Sequence, residues 1–486
     1  MRQLFILACS FLFTLQIGFG QQWFDMIQDP EANFFEIQEK AEAYFEIHGT
    51  GKGTGWKQYK RWEYMHGLRI KPDGSMLTAD DIYNEVNHYE ALHPSNKRNS
   101  SQGDWRELGP LSLPGNGTGQ PNGLGRINCI TFHPTNTDIV FAGTPSGGIW
   151  KSTNKGQGWF KISSGLTRLG VSAIVIHPTN PDLMYIGTGD RDAGDAPGYG
   201  VWRSTNGGST WQQWNTNVGN RTINKIIMHP TNPDTMIAAG ASRIYRTTNG
   251  GTTWTMAYNG YTCKDIAFHP TNPNIVYAAG TIFLKSINNG QSFQQVTSGL
   301  PVTNVNRMVI GVSPAQAGWV YLLVAGNGST GFMGMYKSLD SGDNFSTIST
   351  SPNILGYDTN GGWGNQGWYD LCIAVDRTDA NIVYTGGINV WKSTDGGVNW
   401  AAKTHWWGAG GLPSVHADDH VLEWSPHNSE LWLGNDGGVF MSNNAANTWT
   451  SYSSGLAIAQ VYKIGQSATN RDLIINGYQD NGTSVS

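Results

Sequence analysis

The sequence predicts an all-β fold, a β-propeller of about eight four-stranded blades preceded by a small helical segment, and three observations carry that prediction. The 486 residues hold 63 Gly, 20 Trp and 19 Tyr but only 14% charged residues. Such a composition suits many short strands joined by tight turns, because Gly supplies positive φ and aromatic rings fit a pleated, half-buried surface. One phrase recurs from Ile127 onward, and successive copies of its second half start 39 to 55 residues apart. That is about the length four short strands and their turns need.

The chain opens with Arg2, an apolar run from Leu4 to Leu15 and the small residues Gly18 and Gly20. This is the pattern of a secretory signal peptide over residues 1–20, with an apolar run too short to span a bilayer. Read instead as a lipoprotein box, Ile6-Leu7-Ala8-Cys9 leaves almost no apolar region ahead of the cysteine. The mature protein is therefore expected outside the cytoplasm, without a membrane span. Its formal net charge of -5 is not gathered into blocks, so the basic footprint that nucleic acid or anionic lipid requires is missing. Cys129, Cys263 and Cys372 remain after cleavage, an odd number at one phase of the repeat, which predicts buried free thiols.

Residues 21–103 differ in composition. Phe34, Ile37, Ala41, Tyr44 and Phe45 recur at helical spacing up to Gly49, a second helix is expected over Trp56–Met65, and Thr78 with Asp81 forms a capping box for a third. The polar run from Asn96 to Gly103 reads as a linker. This segment is expected to be a helical cap or brace rather than a catalytic domain.

The propeller is expected over residues 104–486. Each repeat begins with an apolar strand running into His-Pro-Thr-Asn, at His133, His177, His229 and His269, where Pro and Asn make a turn and the His is expected to serve it. The second half is Ser/Thr-x-Asx-x-Gly-x-x-aromatic, starting at Ser152, Ser204, Thr247, Ser286, Ser338 and Ser393, with a decayed copy at Ser442. The Asx side chain accepts hydrogen bonds from turn amides, the Gly tolerates positive φ, and the aromatic packs beneath. In the last copy Ala446 stands where the others have Gly, so that turn is expected to be strained or differently shaped.

These units resemble Asp boxes, the repeats shared by sialidases, sortilin-type receptors, xyloglucan-cleaving glycosidases and photosystem assembly factors. Four further stretches, Gly55 to Glu63, Gly367 to Leu371, His416 to His420 and Gly434 to Gly438, resemble large secreted proteins of Bacteroidetes-like bacteria, many exported by the type IX system. The resemblance covers nearly the whole mature chain and implies a secreted or cell-surface protein. Such proteins usually end in a sorting domain not found here, which implies a fragment continuing past Ser486. An eighth unit starts at Gln460–Ile464 and Leu473–Gly477 without a box, and Trp105 to Leu108 can supply its outer strand, giving eight blades. Seven blades, or an incomplete larger ring, are the alternatives.

In a blade, the start of the innermost strand and the second-to-third connection share one face, opposite the His-Pro and box turns. Sorted this way, Arg126, Asp190, Asp192, Asp195, Tyr199, the Trp363 to Asp370 approach, His416, Asp418, Asp419, His420, Asp436, Gln479 and Asp480 gather at one mouth. Of these, Arg126, Asp190, Asp195, Tyr199, Trp368, Asp418 and Asp480 are the candidate ligand-binding residues. His416, Asp418 and His420 alternate and would share a strand face, which permits a divalent metal, the one cofactor considered, or else a polar network. Asp370 and Asp436 are the candidate catalytic pair, with Asp190 and Asp480 as further carboxylates, since glycoside hydrolysis needs two.

In the xyloglucan-cleaving relatives a catalytic Asp precedes the first repeat's Gly-Gly, whereas here that stretch is Gly143 to Gly148 without one, and Asp370 sits one residue from the second position. Sialidases need three arginines, and Arg126 is the only one found. Trp363, Trp368, Trp406 and Trp407 are placed either to stack on sugars or to fill the core between blades. The reading is a secreted propeller that binds a glycan or an extracellular protein. The alternatives are a glycoside hydrolase acting on polysaccharide and a structural or adhesion module of a larger type IX-secreted protein. Nothing in the sequence sets the oligomeric state.

Overall fold

The computed structural model describes residues 23, 26–27, 32–51, 54–92, 109–113, 121–163, 166, 170–327, 331–362, 364, 366–470 and 472–485. The signal peptide, the 96–103 linker, Trp105 to Leu108 and Trp363 lie outside them. The chain divides into two compact units, residues 1–98 and 99–486.

The first unit is helical as its periodicity requires. Helix α1 (Phe34–His48) is capped by Asn33, whose side chain accepts from the Phe35 and Glu36 amides, and it stops at Gly49 in the left-handed region. Helices α2 (Trp56–His66) and α3 (Ala79–Leu92) follow. Thr78 and Asp81 exchange the two hydrogen bonds of a capping box, at 2.9 and 3.1 Å. Phe34, Ile37, Ala41 and Phe45 pack with Trp23, Tyr59 and Trp62. Among the described residues no helix is long and apolar enough to cross a membrane.

The second unit is a β-propeller of seven four-stranded antiparallel blades, with a three-stranded sheet after them, each sheet using its strands in sequence order. The innermost strands are Cys129–Phe132, Val171–Ile176, Ile223–Met228, Cys263–Phe268, Val305–Val312, Cys372–Val375 and Asp419–Trp424. Blade 7 closes directly on blade 1. The Leu124 and Ile127 amides donate to the Gly437 and Asn435 carbonyls at 3.0 and 3.1 Å, and Trp432 packs among Ile130, Trp150 and Trp159. Eight sheets thus form, but seven close the ring. The eighth (Val461–Gln466, Ile474–Tyr478 and Thr483–Val485) stands beside it.

Both repeated turns work through a side-chain acceptor. At His133, His177, His229 and His269 the ring Nδ1 accepts amides two and three residues on, at 3.0–3.3 Å. Blades 5 to 7 keep the geometry with Ser313, Asp376 and Ser425 as acceptors. In every box the Ser or Thr hydroxyl donates to the Asx and accepts the amide four residues later, at 2.8–3.0 Å. The box leans on the first turn of its own blade, as in Lys155 N to Asp138 O at 2.8 Å. Both turns therefore occupy one face and leave the other to the connections. The three thiols are free and buried, each opposite a glycine of the next strand, Gly143, Gly280 or Gly386.

The decayed box keeps its shape under strain. The Ala446 amide still reaches Ser442 Oγ at 3.0 Å, while Ala445 and Ala446 sit at φ 60° and 66°. Ala445 is exposed, so Ala445→Gly removes a left-handed penalty of ~1–2 kcal/mol without losing packing, less ~0.4–1 kcal/mol for the freer unfolded chain. A net gain of about 0.5–1 kcal/mol is expected, read as a higher urea midpoint at unchanged slope.

Candidate functional site

The mouth of the ring is built by β-bulges. In blades 2, 4 and 7 the register shifts at the top of the innermost strand, skipping Ser172, Lys264 and His420, and a bulge re-aims the extra side chain. His420 becomes the centre of a buried chain of charges. Its Nδ1 lies 3.0 Å from Asp192 Oδ2 and its Nε2 2.9 Å from Asp436 Oδ1. With both ring nitrogens facing carboxylates, the protonated imidazole is favoured over its ordinary balance: burial works against the charge, and Asp192 and Asp436 outweigh it. Asp192 also faces Arg307 Nη1 at 3.0 Å and Arg191 Nε at 3.3 Å. On the other side the Tyr369 hydroxyl donates to Asp436 Oδ2 at 2.7 Å.

Arg126 forms the second node. Its Nη2 lies 2.6 Å from Asp190 and 3.0 Å from Asp195, and its guanidinium sits over the Tyr369 ring, 5.2 Å from the centroid. The segment before blade 6 therefore spans the mouth. Tyr369 touches blades 1 and 7, its carbonyl accepts from Arg307 at 2.9 Å, and the Trp368 carbonyl accepts from Lys264 at 3.1 Å. Gln366 reaches Asp418 Oδ1 at 2.9 Å.

The carboxylates divide by environment. Burial raises Asp436, yet hydrogen bonds and charge from His420, with Arg126 and Tyr369, bring it below the ordinary value. Asp418 moves up, through burial and the neighbouring Asp436. Asp370 and Asp419 are each 1% exposed and are raised by burial and then chiefly by other carboxylates, Asp418 foremost for Asp370. The turn of the eighth sheet brings in Asp480, whose carbonyl lies 3.3 Å from His416 Nε2. One oxygen from each of Asp418, Asp436 and Asp480 lies within 4.8 Å of the other two.

Several expectations change against this geometry. His416, Asp418 and His420 do not gather as metal ligands. Both His420 nitrogens are committed, His416 bonds the Ala417 and Asp480 carbonyls, and Asp418 takes φ 68° ahead of the strand, which breaks the assumed alternation. Among the described residues the cluster that can hold a cation is Asp418, Asp436 and Asp480. Tyr199 is interior, 1% exposed. Asp370 and Asp436 are sealed at 1% and 5% exposure. Arg126, Asp190, Asp195, Trp368, Asp418 and Asp480 do meet at the mouth. Trp407 is half exposed, on the loop leading to Asp418. Sequence reading placed Arg191 and Tyr369 only within longer connections to the mouth and missed Lys264 and Arg307, because only the bulges and the ring bring them to one place.

A family model described as Sortilin, neurotensin receptor 3 (Sortilin-Vps10) matches residues 199–379. No curated protein matches the chain. Similar solved structures include an ancestral GH74 enzyme (TM-score 0.57, 18% identity, 78% of this chain and 54% of the other). The GH74 xyloglucanase of Xanthomonas campestris follows at TM-score 0.56 and 17% identity, covering 73% and 58%. The GH74 enzyme of Niastella koreensis gives TM-score 0.55 and 17% identity, covering 78% and 60%. The chain thus spans 54–60% of the length of these structures. What it shares with them is the fold, a β-propeller.

Proposed function

We propose that the chain is an exported propeller that binds a glycan at this mouth without cleaving it. One observation carries the reading. The groups a hydrolase would turn toward substrate are already spent on each other, since both oxygens of Asp436 are bonded and Asp370 is sealed at 1% exposure. The partly exposed Asp418 and exposed Asp480 remain as acceptors for sugar hydroxyls, with the half-buried Trp368 on the segment that spans the mouth and the half-exposed Trp407 on the loop leading to Asp418. Export rests on the leader pattern of residues 1–20, and type IX secretion on the resemblance alone.

Calorimetry with xyloglucan oligosaccharides and a panel of other plant and algal glycans is expected to find a ligand. Trp407→Ala and Asp418→Asn should each weaken it about tenfold or more, a loss of ~1.4 kcal/mol, with no reducing ends released. A second reading, glycoside hydrolysis, is favoured by the opposed acidities of Asp418 and Asp436 within 4.8 Å, an arrangement that can separate acid from base. Release of reducing ends that Asp418→Asn and Asp436→Asn each abolish would replace the first reading with the second.

A further inference from the structure

We infer that the outer edge of blade 3 docks an extended, acidic segment of a partner protein, which adds to the blade as a further strand. The first ground is the length of that edge. The outermost strands of blades 1, 2, 4, 6 and 7 hold two residues each, and edges that short resist pairing with another chain. In blade 3 the outermost strand, Thr255–Asn259, runs for five, and among the described residues no strand pairs with its outer side. Blade 5 has four, Ser346–Ser349, but Ser349 is tied to the Gly397 carbonyl and to Trp400 of blade 6. An open edge offers amides and carbonyls to an extended peptide, which gains affinity from main-chain bonds and specificity from pockets for alternate side chains.

Such a pocket lies beside this strand, and its charge selects the partner. Asn217, Arg243, Tyr245, Trp254, Thr255 and Met256 line an open cavity of about 450 Å³. Arg243 is opposite Asn259 and Tyr245 opposite Met256 on the two strands, so these side chains share one face. Met256 is 52% exposed, whereas Tyr245 and Trp254 are buried, which leaves the pocket no open aromatic face for a sugar ring. Between residues 214 and 263 stand Arg221, Lys225, Arg243 and Arg246 against one acid, Asp234. Lys225 is paired with Asp265, and Arg246 bonds the Asn289 carbonyl. Arg243 gives Nε to Asn259 and Nη1 to the Tyr245 hydroxyl, at 3.2 and 3.4 Å, and Arg221 lies over the Tyr245 ring, 5.6 Å from its centroid. Among the described residues neither guanidinium has a carboxylate partner, so an Asp or Glu side chain of the docked strand completes the pocket. The site shares no residue with the mouth, and neither reading depends on the other.

The test pans the full chain against a display library of random octapeptides and measures a synthesised survivor by fluorescence anisotropy. Survivors are expected to alternate Asp or Glu with β-branched or aromatic residues. Arg243→Gln should weaken the peptide at least about tenfold. Asn217→Asp is the variant that spares the fold: Asn217 is exposed at φ 68°, a conformation Asp also adopts, and the added charge should weaken the peptide at least about threefold. Binding should also slow hydrogen exchange at Thr255–Asn259 and leave residues 367–370 and 416–420 unchanged. No survivors, survivors without acidic residues, binding untouched by both variants, or no protection of Thr255–Asn259 overturns the inference. Oligogalacturonate bound through Arg243 without protecting that strand would also overturn it, and would assign the pocket to an acidic glycan instead.

Discussion

Asp192→Asn is expected to destabilise the propeller by about 3–5 kcal/mol, the range for stripping a buried charge of its partner. The Asp192 side chain is fully buried against three cations: Arg307 at 3.0 Å, Arg191 at 3.3 Å and His420 at 3.0 Å. Asparagine keeps the shape but removes the charge that all three share. His420 retains Asp436, whereas Arg191 and Arg307 have no other salt bridge among the described residues. Asp195→Asn is the contrast. Its ion pair with Arg126 is of similar length, 3.0 Å, but its side chain is 31% exposed, so water screens the loss and less than about 1 kcal/mol is expected. Urea unfolding of the two variants side by side measures the difference. A cost for Asp192→Asn no larger than for Asp195→Asn would mean that water reaches the centre of the network, and the buried-charge account would fail.

The boxes and His-Pro turns made the propeller legible, since each is a short side-chain-to-backbone device whose chemistry is local. Where the device changed, the sequence became harder to read. Ser313, Asp376 and Ser425 do the work of the turn histidines, but as single acceptors without the His-Pro-Thr-Asn phrase they leave no visible repeat. The face of the site was also legible, because strand direction alone sends the connections to one end. Its partners were not. Arg307 and Lys264 reach the Tyr369 and Trp368 carbonyls across 62 and 104 residues of sequence, and only ring closure makes them neighbours. The metal triple failed for a local reason. Alternation assumes an unbroken strand, whereas Asp418 is left-handed and His420 sits in a bulge.

Ring closure itself yields the other large effect. Blades 1 and 7 are each built from their own four consecutive strands, so among the described residues no strand shared between the two ends of the chain fastens the circle. The seam is held by the two backbone bonds from Leu124 and Ile127, by side-chain bonds from Trp159 to the Tyr452 carbonyl and between His427 and the His133 carbonyl, by the Lys155–Glu430 ion pair, and by apolar packing around Trp432. That ring is 1% exposed and meets Phe132 of blade 1 edge-on at 5.7 Å. Trp432→Ala should therefore cost about 3–5 kcal/mol, as large-to-small changes of a buried tryptophan do. The location of the damage is the sharper expectation. Hydrogen exchange should quicken first in the innermost strands Cys129–Phe132 and Asp419–Trp424, because local opening follows the least secured contact, while blades 3 and 4 stay protected. Trp391→Ala removes a tryptophan buried equally well, from the cluster shared by blades 5 and 6, and should cost a similar amount without exposing the blade 1 to blade 7 seam. If both variants gave the same exchange pattern around the ring, the seam would be no weaker than any other joint, and closure would have to be secured by something besides these contacts.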